Sequence, residues 1–189
     1  MISFRQFNKS KNKSVLFIHG LFSSSGFWLE HLRKFRDFRI ILCDIDYKNF
    51  FENPAVCNKI FLDFINKNNL HATISHSFGS AMNLNIDDAI TRINICPITY
   101  KSRINSSDFV LEIERKTKLE KNFIEKMLYD AETYLKINQQ ASSMRIANMI
   151  NFIPKNDSFF TYKGNANFDG DHFNIGRAIE NILSLDELS

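Results

Sequence analysis

Short unbroken apolar runs recur along the first half of this chain, and helical patterns separate them. The runs are Ser14-Val15-Leu16-Phe17-Ile18, Arg39-Ile40-Ile41-Leu42-Cys43-Asp44, Leu70-His71-Ala72-Thr73-Ile74 and Arg92-Ile93-Asn94-Ile95-Cys96-Pro97. A strand buried on both faces reads this way, because both sides of the pleat need apolar side chains. Between them, Phe27, Trp28, His31, Leu32 and Phe35 recur at helical spacing, as do Val56, Ile60, Phe61, Phe64 and Ile65. This strand–helix alternation predicts an α/β fold, a mostly parallel sheet flanked by helices on both faces. Ile2, Phe4 and Phe7 add a short edge strand. Asp46 to Pro54 reads as loop, and the segment after Gly79 as helix to about Ala89.

The pattern changes beyond Ile104. Phe109, Val110 and Ile113, then Leu119, Phe123, Ile124, Met127 and Leu128, then Tyr134 and Leu135, follow helical spacing with charges between them. Residues 102–148 are therefore expected to form an insertion of two or three helices. Met149–Pro154 restores a strand, Phe159–Tyr162 is a last short one, and a helix from Ile175 to Leu183 closes the chain. No repeat or linker divides it, so residues 1–189 read as one domain, long enough to bury a real core.

Charge and cysteine usage exclude several classes. A net charge of +3 is mild and unclustered, which argues against nucleic acid as a partner. Cys43, Cys57 and Cys96 are isolated among apolar neighbours, with no C-x-x-C spacing, so neither a metal site nor a disulfide framework is expected. A reducing cytoplasm suits them. Met1 to Ser14 has no apolar core of a signal peptide, and no run is long enough to span a membrane. The chain has 19 Phe, which general compositional bias toward Phe, Lys, Asn and Ile explains most simply.

The chemistry-bearing stretch is Ser75-His76-Ser77-Phe78-Gly79, between a strand and a helix. A sharp strand-to-helix turn pushes one side chain, here Ser77, into an exposed position above the sheet; small neighbours make room for it. Taken alone, the stretch reads equally well as a turn with Ser77 capping a helix. A serine hydroxyl becomes a nucleophile when a base takes its proton and a third group orients the base. His172, just before the last helix, is the candidate base. Asp157, in the loop after the Met149–Pro154 strand, is the candidate acid; Asp169 and Asp171 are rivals placed better to cap the last helix. Active-site groups in open α/β sheets gather at the carboxyl ends of strands, where all three would sit. His76 reads as a packing residue. Phe78 N–H and Leu21 N–H, with Phe22 as runner-up, would form an oxyanion hole. Phe22, Trp28, Phe109 and Phe123 are candidate substrate-binding residues.

These pieces resemble the α/β-hydrolase family: Phe17-Ile18-His19-Gly20 and its small-residue loop, the Ser77 turn, Asn156-Asp157, and Gly170-Asp171-His172-Phe173. The likeness spans about Ser14 to Leu183. It departs at Ser75, where the family carries glycine, at Asp46-Tyr47-Lys48, and in the short interval between Asp157 and His172. The resemblance implies a serine hydrolase of carboxylic esters or thioesters, with no cofactor and with residues 102–148 as a helical lid. Small members that open this way are similar to the methyl esterases of pimeloyl-carrier-protein in biotin synthesis. By that likeness Arg103, Arg115 and Lys118 would meet an acidic carrier protein. An acyl thioesterase, or a catalytically silent binding module on the same fold, is the alternative.

Overall fold

A computed structural model describes residues 1–99, 102–139, 149–162 and 164–188. Its main sheet has six strands in the order β1-β3-β2-β4-β5-β7. These are β1 (Ile2–Phe7), β2 (Ser14–Ile18), β3 (Arg39–Ile45), β4 (Ala72–His76), β5 (Thr91–Ile95) and β7 (Ile150–Phe152). β1 is an antiparallel edge strand on β3; every other pairing is parallel. β2 and β4 lie in the middle and are buried along their whole length, as their unbroken apolar runs require.

Side chains alternate between two apolar layers. Leu16, Ile18, Ile41 and Cys43 pack against helices α1 (Tyr47–Glu52), α2 (Pro54–Lys67), α3 (Ser80–Asn83) and α5 (Lys121–Gln139). Val15, Phe17, Leu42, Ile74 and Ile93 face the other way, against Trp28, Phe35 and the last helix, α6 (Gly176–Leu183). Each fully buried side chain of this size contributes about 1.5–3 kcal/mol relative to exposure, so this double layer is the fold's main source of stability.

Three local expectations are corrected. The segment around Phe27 forms two 3-10 turns, Ser25–Trp28 and Leu32–Phe35, in place of one helix. Ser24 caps the first turn by accepting the Gly26 amide at 3.2 Å, and Trp28 and Phe35 both press on Phe17, at ring distances of 5.2 and 4.9 Å. Asp46 to Pro54 is helical, not loop, because Asp46 accepts the Asn49 amide at 3.2 Å as a cap and Pro54 can start the next helix. After the Ser77 turn the helix stops at Asn83, whose side chain folds back under the sheet.

The expected insertion begins with a short strand, β6 (Arg103–Ile104), then α4 (Ser106–Thr117) and α5. Its stretch 140–148 lies outside the described residues. The strand expected at Phe159–Tyr162 is β8 (Phe160–Thr161); it pairs antiparallel with β6 in a separate two-stranded sheet. Among the described residues no helix is long and apolar enough to cross a membrane. All three cysteines are free and buried.

Candidate active site

β4 ends at His76, and Ser77 turns with φ of 54°, a left-handed backbone that a serine adopts only under constraint. The constraint comes from close packing on both sides. A Cβ on Gly20 would lie 2.8 Å from Ser77 Cβ, and one on Gly79 would lie 2.6 Å from the His19 carbonyl oxygen. The chain after β2 can approach the turn only because both positions are glycine.

Ser75 occupies the place where the family that the sequence resembles carries glycine, and its hydroxyl is used. It donates to Asn94 Oδ1 at 2.7 Å and accepts from Asn83 Nδ2 at 3.1 Å. Asn83 Nδ2 also reaches Asn94 Oδ1 at 2.8 Å, and Asn94 Nδ2 donates to Asn151 Oδ1 at 2.9 Å. A polar ladder therefore crosses β4, β5 and β7 beneath the turn and ties α3 to the sheet. The departure at Ser75 supplies a hydrogen-bonding group to this ladder.

Ser77, His172 and Asp157 meet at the carboxyl edge of the sheet. Ser77 Oγ is 3.0 Å from His172 Nε2, and His172 Nδ1 is 3.1 Å from Asp157 Oδ2. The His172 and Asp157 side chains are each only 2% exposed. Asp157 Oδ1 accepts the amides of Phe159 and Phe160 at 2.8 and 3.0 Å. Asp157 is thus a turn residue and a partner of His172 at once. Burial raises its pKa, but the bonds from His172, Tyr162 and Phe159 outweigh that and hold it below the usual carboxylate value. The rivals have other work. Asp171 takes the Phe173 and Asn174 amides at 2.8 and 2.9 Å, forming the turn before α6, and Asp169 pairs with Lys155 at 2.8 Å.

The loops carrying the two partners are tied together. Lys155 and Asn156 donate backbone N–H to the carbonyls of Phe168 and Gly170 at 3.1 and 3.2 Å. The His172 ring lies between Phe160, stacked at 4.4 Å, and His76, at 5.0 Å. His76 does more than pack. Its Nε2–H donates to the His172 carbonyl at 2.7 Å, fixing the backbone of the candidate base. Complete burial, with His172 beside it, pushes its pKa down to about 3, so it stays neutral.

His19 shapes the loop after β2. Its Nε2 accepts the Ile45 amide at 3.0 Å, its Nδ1 sits 2.8 Å from the Gly20 carbonyl, and Tyr47 donates to the His19 carbonyl at 2.6 Å. On the far side, Asp44 takes both the amide and the hydroxyl of Ser25, at 2.7 and 2.8 Å. The Gly20-Leu21 segment is therefore held against Ser77.

A cavity of about 820 Å³ opens onto Ser77. Leu21, Phe78, Phe109, Val110 and Phe160 form its apolar wall, with Arg103 at its margin. Of the expected substrate-binding residues, Phe109 lines it. Phe22 stands behind Phe109, with ring centroids 6.2 Å apart. Trp28 is corrected: it is fully buried in the opposite layer against Phe17, Phe27 and His76, where it shapes the site from beneath. Phe123 packs on the layer beneath α5, and Leu128 and Tyr129 of that helix line the cavity in its place. The basic residues divide as well. Arg103 is exposed, Arg115 pairs with Glu112 at 2.8 Å, and Lys118 ends α4 with a left-handed φ of 61°.

Tyr162 was missed by sequence reasoning. Its hydroxyl donates to Asp157 Oδ2 and lies 2.9 Å from His172 Nδ1. A tyrosine at the end of a short strand carries no motif; only its sequence nearness to Asp157 could have drawn attention to it.

No protein-family model matches the chain, and no curated protein matches it. Solved structures do. A thioesterase domain from the curacin biosynthetic pathway aligns with a TM-score of 0.60 and 12% identity, covering 100% of this chain and 95% of that one. An α/β hydrolase fold protein from Burkholderia ambifaria aligns at 0.57 and 12%, covering 97% and 92%. A Burkholderia cenocepacia protein provisionally assigned as an aryl esterase aligns at 0.61 and 12%, covering 96% and 91%. Likeness at this identity speaks to architecture and leaves the chemistry to the site itself. The sheet order, the strained serine turn between β4 and α3, and these full-length alignments agree: the chain has the α/β-hydrolase fold.

Proposed function

We propose that this protein is a serine hydrolase that cleaves a carboxylic ester or thioester through an acyl-enzyme. One observation carries the reading: a strained serine, a buried histidine and a buried carboxylate stand in hydrogen-bonding sequence at the mouth of a cavity. Two fold neighbours, a protein provisionally assigned as an aryl esterase and a thioesterase domain, support the same class.

In this reading Ser77 Oγ attacks the substrate carbonyl carbon and its proton passes to His172 Nε2. Asp157 holds the ring through Nδ1–H and stabilises the charged imidazolium. The oxyanion of the tetrahedral intermediate accepts hydrogen bonds from the N–H groups of Leu21 and Phe78, residues that line the cavity together with Ser77. Collapse expels the alcohol or thiol, which takes the proton from Nε2. Water then attacks the acyl-serine, with His172 again as base, and the free acid leaves. Helices α4 and α5, which line the cavity, act as the lid.

The finer reading within this class is a methyl ester of pimeloyl-carrier-protein. Arg103, exposed on the cavity margin, supports it, because an acidic carrier would dock beside it. The test is a panel of p-nitrophenyl esters, acyl thioesters and the carrier-linked methyl ester, together with labelling by a fluorophosphonate. Turnover and labelling are both expected, and both vanish in Ser77→Ala. Labelling that survives that change contradicts the reading. Absence of turnover across the whole panel favours a silent binding module. Arg103→Glu is expected to slow the carrier-linked substrate alone.

A further inference from the structure

Asp157 and His172 share a third partner that the proton transfers above do not use. Three polar atoms stand in a closed triangle: Asp157 Oδ2, His172 Nδ1 at 3.1 Å from it, and Tyr162 Oη at 2.9 Å from that nitrogen and bonded to Oδ2. The proton positions follow from the partners. Ser77 donates to Nε2 in the reactive arrangement, so Nδ1 carries the ring hydrogen. Asp157 is ionised, so the phenol proton points to Oδ2. The Nδ1–H then faces two acceptors, the carboxylate oxygen and the phenol oxygen. Burial, reinforced by the neighbouring Cys96 and by the negative charge of Asp157, drives the phenol pKa far up, so Tyr162 remains a donor.

The consequences are geometric. Asp157 Oδ1 already holds two backbone amides, and Tyr162 engages the second oxygen, so the carboxylate cannot rotate away from His172. Tyr162 directly follows β8, which pairs with β6 on the cavity margin, and its neighbour Phe160 stacks on the His172 ring. The imidazole is therefore clamped at its edge by the phenol and on its face by Phe160.

We propose that Tyr162 is a positioning residue for the reaction: its hydroxyl locks Asp157 and supplies a second acceptor for His172 Nδ1–H, keeping Nε2 aimed at Ser77. Its kinetic consequence rests on the hydrolase reading; its hydrogen-bond geometry does not.

Tyr162→Phe keeps the ring and removes only the hydroxyl. With a p-nitrophenyl ester, kcat is expected to fall about tenfold while KM stays within about twofold, because Tyr162 does not border the cavity. A second readout does not need turnover. The far-downfield proton resonance of His172 Nδ1–H should shift in Tyr162→Phe, and also when 3-fluorotyrosine, a stronger donor of nearly the same shape, stands at position 162. Unchanged kcat with an unmoved resonance overturns the proposal. If Tyr162→Phe does not fold, the fluorotyrosine protein decides it by the resonance alone. A resonance that moves in a protein that never turns over esters supports the clamp and sinks the hydrolase reading instead.

Discussion

The proposed nucleophile corner and the proposed acid–base corner of this site are built by different means. Ser77 is placed by regular structure: a central strand buried on both faces, two glycines that admit the neighbouring chain, and a ladder of Ser75, Asn83, Asn94 and Asn151 beneath. Asp157 and His172 lie in loops, and side-chain bonds hold them: Asp157 to two amides, Tyr162 to Asp157, His76 to the His172 carbonyl. The first corner is part of the core, so changes there cost folding energy. The second is equally buried but is held by side-chain bonds to and between loops, so changes there cost alignment and activity. A base that must alternately take and release a proton suits the second kind of support, and a strained nucleophile needs the first.

The largest effect that would test this contrast belongs to Asp157→Asn. An amide can still accept the Phe159 and Phe160 N–H groups, but it faces the wrong way for Nδ1–H. We expect kcat to fall roughly 10³–10⁴-fold, with the melting temperature nearly unchanged. A large loss of stability at near-normal kcat would show that the acid corner belongs to the core after all.

His76 joins the two corners, and pH reads its burial. Its folded pKa of about 3 lies below the ordinary 6.5. Above pH 6.5 the ring is neutral folded or unfolded, and its contribution is whole. As pH falls from 6.5 toward 3, the unfolded chain takes up the proton and the folded one does not, so stability declines by up to about 1.4 kcal/mol per pH unit. His19, lowered by burial as well, adds in the same direction. Urea unfolding between pH 4 and 7 should show that slope, and His76→Gln should flatten part of it. A slope unchanged by His76→Gln would remove His76 as the link.

The smallest effect sharpens the contrast most. Ser75→Gly places the glycine of the resembling family at this turn but strips Asn83 and Asn94 of a buried partner. A loss of about 1 kcal/mol in denaturant unfolding is expected, with kcat within about threefold of the original. Lost activity at full stability would mean that Ser75 serves the chemistry, not the sheet.

The same division explains what could be read from the sequence. The four apolar runs gave the sheet, because a strand buried on both faces has no other pattern. Ser77, Asp157 and His172 were legible because each follows a strand in an order that brings them to one edge. The curl at Phe27–Phe35 was not, since the spacing of Phe27, Trp28 and Phe35 fits a helix equally well, and two short 3-10 turns bury Trp28 and Phe35 on Phe17 all the same. Helix α1 was missed although Asp46 is a good cap, because a six-residue helix has too few apolar positions to show a period. Tyr162 and the His76 bond depend on contacts between loops, which no local pattern carries. Trp28 was expected at the cavity, but its ring fills the layer below.

In the proposed reaction Ser77 carries the acyl group during turnover. Mass spectrometry of the protein acid-quenched within its first turnover of p-nitrophenyl acetate measures this directly. One added acetyl group is expected on the peptide containing Ser77, absent in Ser77→Ala. Turnover with no adduct there, or with the acetyl group on another side chain, would contradict the account.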